Sequence, residues 1–146
     1  MNLLNNCKID FVNAAITAAN NTDDNSSILD MAGYDGVVFM ATITDSVALG
    51  VATLTVQESA ANSDAAMAAI TGAAATATSA VNDDLNSRLL IVDCFRPVER
   101  YVQGTLTSAT QNIAFGETVA IRYNGRKCPV SQSSTTVAAS TSIVGS

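Results

Sequence analysis

Val37-Val38-Phe39-Met40-Ala41-Thr42-Ile43 and Leu89-Leu90-Ile91-Val92-Asp93-Cys94-Phe95 are the two stretches on which the fold turns. Each is a short run of β-branched, aliphatic and aromatic side chains, the residue types that fill a pleated, covered surface. The first predicts a central strand covered on both faces, and the second predicts the most deeply buried strand of the chain. Turn chemistry brackets both. Gly33-Tyr34-Asp35-Gly36 precedes the first, where glycine supplies positive φ and aspartate caps the bend. Pro97 stops the second, because proline has no N–H to give to a ladder.

Outward from these runs the pattern remains that of strands. Gly50 to Val56 alternates, which predicts a hairpin with residues 37–43 through a connection over Thr44 to Leu49. Tyr101 to Thr107 alternates again, Gln111-Asn112 marks a turn, and Glu117 to Tyr123 reads as a strand that Asn124-Gly125 either ends or folds into a hairpin. Lys8 to Ala19 alternates imperfectly, and Ile28 to Met31 is a short apolar run. The polar blocks Asn20 to Ser27 and Asn82 to Ser87 read as loops. Ser63 or Asp64 caps a single helical turn over Ala65 to Ile70 that Gly72 ends, and Thr76 and Thr78 tip the alanine-rich stretch Ala73 to Val81 towards a strand. Cys128 to Ser146 is rich in Ser, Thr, Val and Ala, has no charge after Lys127, and reads as an extended arm or edge strand. The expectation is an all-β fold: one domain over residues 1–146, a β-sandwich or barrel of about seven to eight short, mainly antiparallel strands. Residues 1–7 and 130–146 are candidate extended arms.

Composition narrows the function. The 146 residues carry a net charge of −6, so the overall field repels nucleic-acid phosphate. There is no His, which removes the commonest general base and metal ligand together and excludes Ser/His/Asp and Cys/His triads. Neither a phosphate-binding glycine motif nor an S-x-x-K context is present, so no catalytic residue, cofactor or metal is expected. Cys7, Cys94 and Cys128 are an odd, widely spaced set, read as free, buried or half-buried thiols of a reducing compartment. The start of the chain lacks the pattern of a secretory signal, and no stretch approaches the roughly 20 apolar residues of a membrane-spanning helix. A soluble protein made in a cytoplasm is expected. Against 24 Ala, 16 Thr and 14 Ser there are four Phe and three Tyr, so the core is light and oligomerisation is the expected remedy.

Charge is unevenly placed. Residues 1–87 hold one base and ten acids, whereas residues 88–146 hold six bases and three acids. Arg96, Arg100, Arg122 and Arg126, with Tyr101, are the candidate interface residues, since Arg grips carboxylates in two-pronged fashion and is enriched in binding hot spots. The competing reading pairs these arginines within the chain, with Asp93, Glu99 or the acidic loops. Asp23-Asp24 with Asp30, and Asp83-Asp84, lack the spacing of an EF-hand loop and read as solvated loops.

Two longer segments carry a resemblance, Ile28-Leu29-Asp30-Met31-Ala32-Gly33-Tyr34-Asp35-Gly36-Val37-Val38-Phe39 and Leu89-Leu90-Ile91-Val92-Asp93-Cys94-Phe95-Arg96-Pro97-Val98-Glu99-Arg100-Tyr101-Val102. Gln111-Asn112 and Arg126-Lys127-Cys128-Pro129-Val130 continue it. With these the chain resembles small tailed-bacteriophage virion proteins of the head decoration, or cement, type. It departs from them at Cys94, at Cys128 and in its alanine-rich middle. The resemblance implies a structural protein on the outer capsid surface of a virion, made in the host cytoplasm, whose partner is the major capsid protein; the light core and the uneven charge add copies of itself as partners, a trimer being favoured. It implies no catalysis, and the net charge and the lack of a long apolar stretch lead to the expectation of no nucleic-acid or membrane partner. A tail, neck or head-tail junction component shares the composition, and a carbohydrate-binding β-sandwich is the more distant alternative.

Overall fold

The computed structural model describes residues 2–143 as two antiparallel sheets packed face to face. In chain order the elements are a short helix α1 (Leu3–Asn6), then β1 (Lys8–Asn13), β2 (Ile16–Ala19), β3 (Thr22–Asn25), β4 (Leu29–Asp30), β5 (Gly36–Ser46) and β6 (Val51–Ser59). A 3-10 turn at Asp64–Ala66 leads into β7 (Ala68–Thr78), β8 (Arg88–Phe95), β9 (Tyr101–Ala109) and β10 (Ile113–Tyr123). One sheet, A, runs β1-β10-β5-β8 with β2 also on β10; the other, B, runs β3-β9-β6-β7 with β4 also on β9. The fold is therefore a sandwich and not a barrel, and its ten strands exceed the seven to eight expected.

The extra strands come from segments whose composition hid them. Thr22–Asn25, inside the polar block read as a loop, pairs with β9, and its polar side chains find partners across the ladder: Thr107 donates to Asp23 at 2.8 Å and Thr105 to Asn25 at 2.7 Å. An edge strand facing solvent needs no apolar residues once its neighbour supplies hydroxyls. The helical turn shrinks to three residues, its Ser63 cap makes no side-chain bond, and the chain goes straight into β7. Gly72 ends no helix there; it sits within β7 at φ +82, a left-handed conformation that suits glycine.

The expected hairpin between residues 37–43 and 50–56 does not form. β5 lies in sheet A and β6 in sheet B, so the turn after Ser46 carries the chain from one layer to the other. Both strands still bury one face against the same core, which is why alternation alone could not tell a hairpin from a crossover between layers. Val37, Phe39, Ile43, Leu54, Val56, Val102 and Ile113 are fully buried between the sheets. Gly104 on β9 leaves the space that the Phe39 ring fills; a Cβ there would sit 2.9 Å from the ring.

Both deciding strands are covered on one face only. In β5, Val37, Phe39, Ala41 and Ile43 are buried, whereas Val38, Met40 and Thr42 are half-buried. β8 is an edge strand with strict alternation: Leu90, Val92 and Cys94 point inward, whereas Leu89 is 56% exposed, Ile91 50% and Phe95 57%. Leu89 to Phe95 is thus not the most buried strand. An apolar run hides which of its faces is covered.

The end regions are tied to the sandwich. Asn124, at φ 53, ends β10, and Gly125 donates to Asn6 O at 2.9 Å. Among described residues, 128–143 contain no strand; they run beside β1, where Gln132 accepts from Ile9 N–H and donates to the Leu4 and Cys7 carbonyls. Thr136 donates to Asp10 at 3.3 Å. Residues 144–146 of the candidate arm lie outside the described residues, as does Met1. Cys7 and Cys94 are buried free thiols whose pKa burial pushes up, but Cys128 is exposed and not buried as expected. It follows Lys127 in the exposed turn after β10, where an apolar side chain has no layer to enter.

Candidate functional site

The turn before β5 and the turn after β8 meet at one end of the sandwich. Gly36 pairs with Phe95 and Val37 with Cys94, so the two resembling segments, some fifty residues apart, run side by side and leave the sheet together. Between their turns lies an open groove of about 590 Å³, with Met31 to Asp35 on one side, Arg96 to Arg100 on the other, and Arg126 at its end. Arg96 N–H donates to Asp35 O at 2.7 Å, and Met31 N–H to Arg100 O at 2.8 Å, so both walls are fixed by main-chain bonds.

The structure brings Arg96, Arg100 and Arg126 together here. Arg100 grips Asp30 with both prongs, Nε to Oδ1 at 3.0 Å and Nη2 to Oδ2 at 2.9 Å, and lies 5.3 Å from the centre of the Tyr101 ring. The Arg100 hydrogen bonds hold the Asp30 carboxyl below its usual range despite some desolvation, helped by the Ala32 N–H and the charge of Arg122. Arg126 reaches Asp35 at 3.4 Å with its side chain 72% exposed. Arg96 makes no ion pair among the described residues; its guanidinium lies 5.1 Å from the Phe95 ring centre, and its backbone is left-handed at φ 56.

Arg122 belongs elsewhere. It sits within β10, where it is buried and bonded to Asp10 through Nε at 3.2 Å and Nη2 at 2.6 Å, while Nη1 donates to Asp30 O at 2.7 Å. Tyr34 covers it, with its ring centre 5.0 Å from the guanidinium. This residue joins β1 and β10 of sheet A to β4 of sheet B beneath the groove. Of the arginines read as interface candidates, three pair within the chain, with Asp10, Asp30 and Asp35; Asp30 belongs to the acidic loops of the competing reading, whereas Asp10 and Asp35 were not singled out.

The groove is lined by charged and apolar side chains. Its charged groups are guanidiniums and carboxylates, largely matched in pairs, with Arg96 and the outer edge of Arg126 turned to solvent. Asp23, Asp24, Asp83 and Asp84 each accept hydrogen bonds from neighbours, and among the described residues no group of acids or thiols is gathered in the way a metal ion needs. No helix among them is long and apolar enough to cross a membrane.

A second surface was missed by the sequence reading, which treated Leu89 to Phe95 as core. The outer face of sheet A carries the aligned row Ile91-Met40-Val119-Phe11 across β8, β5, β10 and β1, and beside it Asp93-Val38-Ile121-Ile9. Tyr123 crosses over Gly36, where any Cβ would meet its ring, to stack on Phe95 at 6.5 Å and to donate to Asp93 at 2.6 Å. Burial and the Asp93 carboxylate push the Tyr123 phenol well above its usual pKa.

No protein-family model matches the chain, and no curated protein does. Among solved structures it is similar to the PBSX exported protein XepA, at TM-score 0.49 and 19% identity over 86% of this chain and 38% of that one. It is similar to a structure described as "CBM4 structure and function" at TM-score 0.41 and 9% identity, over 71% of this chain and 63% of the other. It is also similar to the structure of infectious bursal disease virus Gx strain, at TM-score 0.46 and 7% identity over 84% and 33%. This chain spans less than two thirds of the length of each.

Proposed function

We propose that the chain is a structural virion protein, and within that class a head decoration protein that binds the outside of a phage shell without catalysis. The observation that carries the reading is the meeting of Ile28 to Phe39 with Leu89 to Val102, the segments of the resemblance, around one groove fixed by main-chain bonds and edged by Arg96 and Arg126. A rigid concave end with outward guanidiniums suits an acidic segment of a large protein partner, here the major capsid protein. Binding many equivalent shell sites then stabilises the shell by mass action.

The test is cosedimentation of the purified protein with expanded shells of the phage that encodes it. The intact chain should pellet with shells, and the double variant Arg96→Glu, Arg126→Glu should bind at least about tenfold more weakly while melting at nearly the same temperature. Absence of the intact protein from the shell pellet overturns the decoration role. Its recovery with purified tails would place it in the tail or neck.

A further inference from the structure

We infer that the outer face of sheet A is the contact between two copies of this chain, packed sheet to sheet about a two-fold axis. The face is apolar over β1, β5, β8 and β10: Ile9, Phe11, Val38, Met40, Leu89, Ile91, Phe95, Val119 and Ile121 all point outward. Leu89, Ile91, Phe95 and Phe11 are exposed, and the other five are half-buried among their neighbours in the sheet.

Size points to a protein partner. Four strands about 4.8 Å apart and seven residues rising about 3.4 Å each make a face of roughly 19 by 24 Å. With Phe11 43% exposed, Leu89, Ile91 and Phe95 half exposed and the rest half-buried, two such faces of roughly 460 Å² each would bury about 900 Å² together, the low end of specific interfaces and the size of a weak, reversible contact.

Charge points to a second copy. The chain is net −6, so most approaches of one copy to another bring like charges together. Asp93 is the one charged residue in the aligned rows of this face, and its carboxylate is held by the Tyr123 hydroxyl. Two such faces meet with little repulsion and bury the same side chains on each side, which is the self-complementarity a two-fold contact requires. Edge-to-edge joining through β1 is opposed, because Gln132 already takes the Ile9 N–H. Face to face, the two sheets would stack about 10 Å apart, as within the sandwich itself.

This contact does not rest on the decoration reading, since the groove and the face are separate surfaces. The test is sedimentation velocity on the full chain from 1 to 200 µM. The wild type should reach a dimer, twice the 15.0 kDa chain mass. Ile91→Lys, on the exposed side of an edge strand, should weaken dimerisation by about 100-fold with an unchanged circular dichroism spectrum. Thr53→Lys, on the outer face of sheet B, should dimerise as the wild type does. Should Ile91→Lys fail to fold, Leu89→Lys provides the same reading. A wild-type monomer throughout overturns the contact, as does a trimer or an Ile91→Lys dimer of unchanged affinity. Neither result touches shell binding, which the Arg96 and Arg126 variant reads separately.

Discussion

The two outer faces of the sandwich are built on the same strand period and have opposite characters. On sheet A the outward positions are Phe11, Met40, Ile91 and Val119; on sheet B the corresponding positions are Thr53, Thr55, Thr76, Thr105 and Thr107, flanked by Asp23 and Asn25. Most polar groups of the sheet B face find partners within it, the buried Gln103 Oε1 being an exception. Thr53 and Thr76 share a hydrogen bond at 3.1 Å across β6 and β7, and Asp64 accepts from Asn25 and Gln103. Such cross-strand pairs leave a finished, wettable surface. Sheet A has no equivalent network over most of its outer face, and the difference teaches that one strand period can carry either a polar or an apolar outer face.

The comparison predicts a steep gradient of mutational cost from the shared core outward. The largest effect belongs to the interior: Phe39→Ala should lower the free energy of unfolding by about 3–5 kcal/mol in urea titration, because the ring fills the space over Gly104 and leaves a cavity. A loss below about 1 kcal/mol would mean that the two sheets do not pack around this ring. Next comes the tie between the layers. Asp10→Ala strands the Arg122 charge in a site where its side chain is 9% exposed, and should cost about 3 kcal/mol, read by the same titration. An unchanged midpoint would show that the Asp30 carbonyl and solvent suffice for Arg122.

The exposed pair at the groove matters less. Arg100 lowers the Asp30 pKa from its ordinary 3.8, so the pair contributes fully above that pH, and its contribution is lost as pH falls through the lowered folded value. With the Asp30 side chain 41% exposed, solvent screening holds the effect to under about 1 kcal/mol. Arg100→Ala should therefore be slightly less stable than the wild type at pH 6, and the gap should close as the pH is taken well below 3.8. A gap that widens in acid would contradict the sign. The smallest effect on folding belongs to the outer faces: Thr53→Lys and Ile91→Lys should each change monomer stability by no more than about 0.5 kcal/mol at concentrations too low for association. A large loss for Ile91→Lys alone would make the apolar face part of the fold.

These faces also explain what could be read from the residues. Strands 37–43, 89–95, 101–107 and 117–123, the stop at Pro97 and the turn at Gln111-Asn112 were legible because each rests on local chemistry. Thr22–Asn25 was not, since its partners lie some eighty residues away on β9. The exposure of β8 was hidden for a different reason. A strand buried on both sides and an edge strand with an exposed apolar outer side have the same apolar sequence. For the arginines, sequence gave proximity to turns, but the choice between Asp10, Asp30 and Asp35 as partners depends on how the two sheets stack.

The most direct test of the two-faced account is hydroxyl-radical footprinting of the wild-type chain at rising concentration, comparing Met40 on the outer face of sheet A with Met67 beside β7. The account predicts that oxidation at Met40, together with Phe11 and Phe95, slows several-fold as the protein is concentrated, whereas Met67 reacts at one rate throughout. Equal rates at Met40 from dilute to concentrated solution, or protection that develops at Met67 instead, would contradict it.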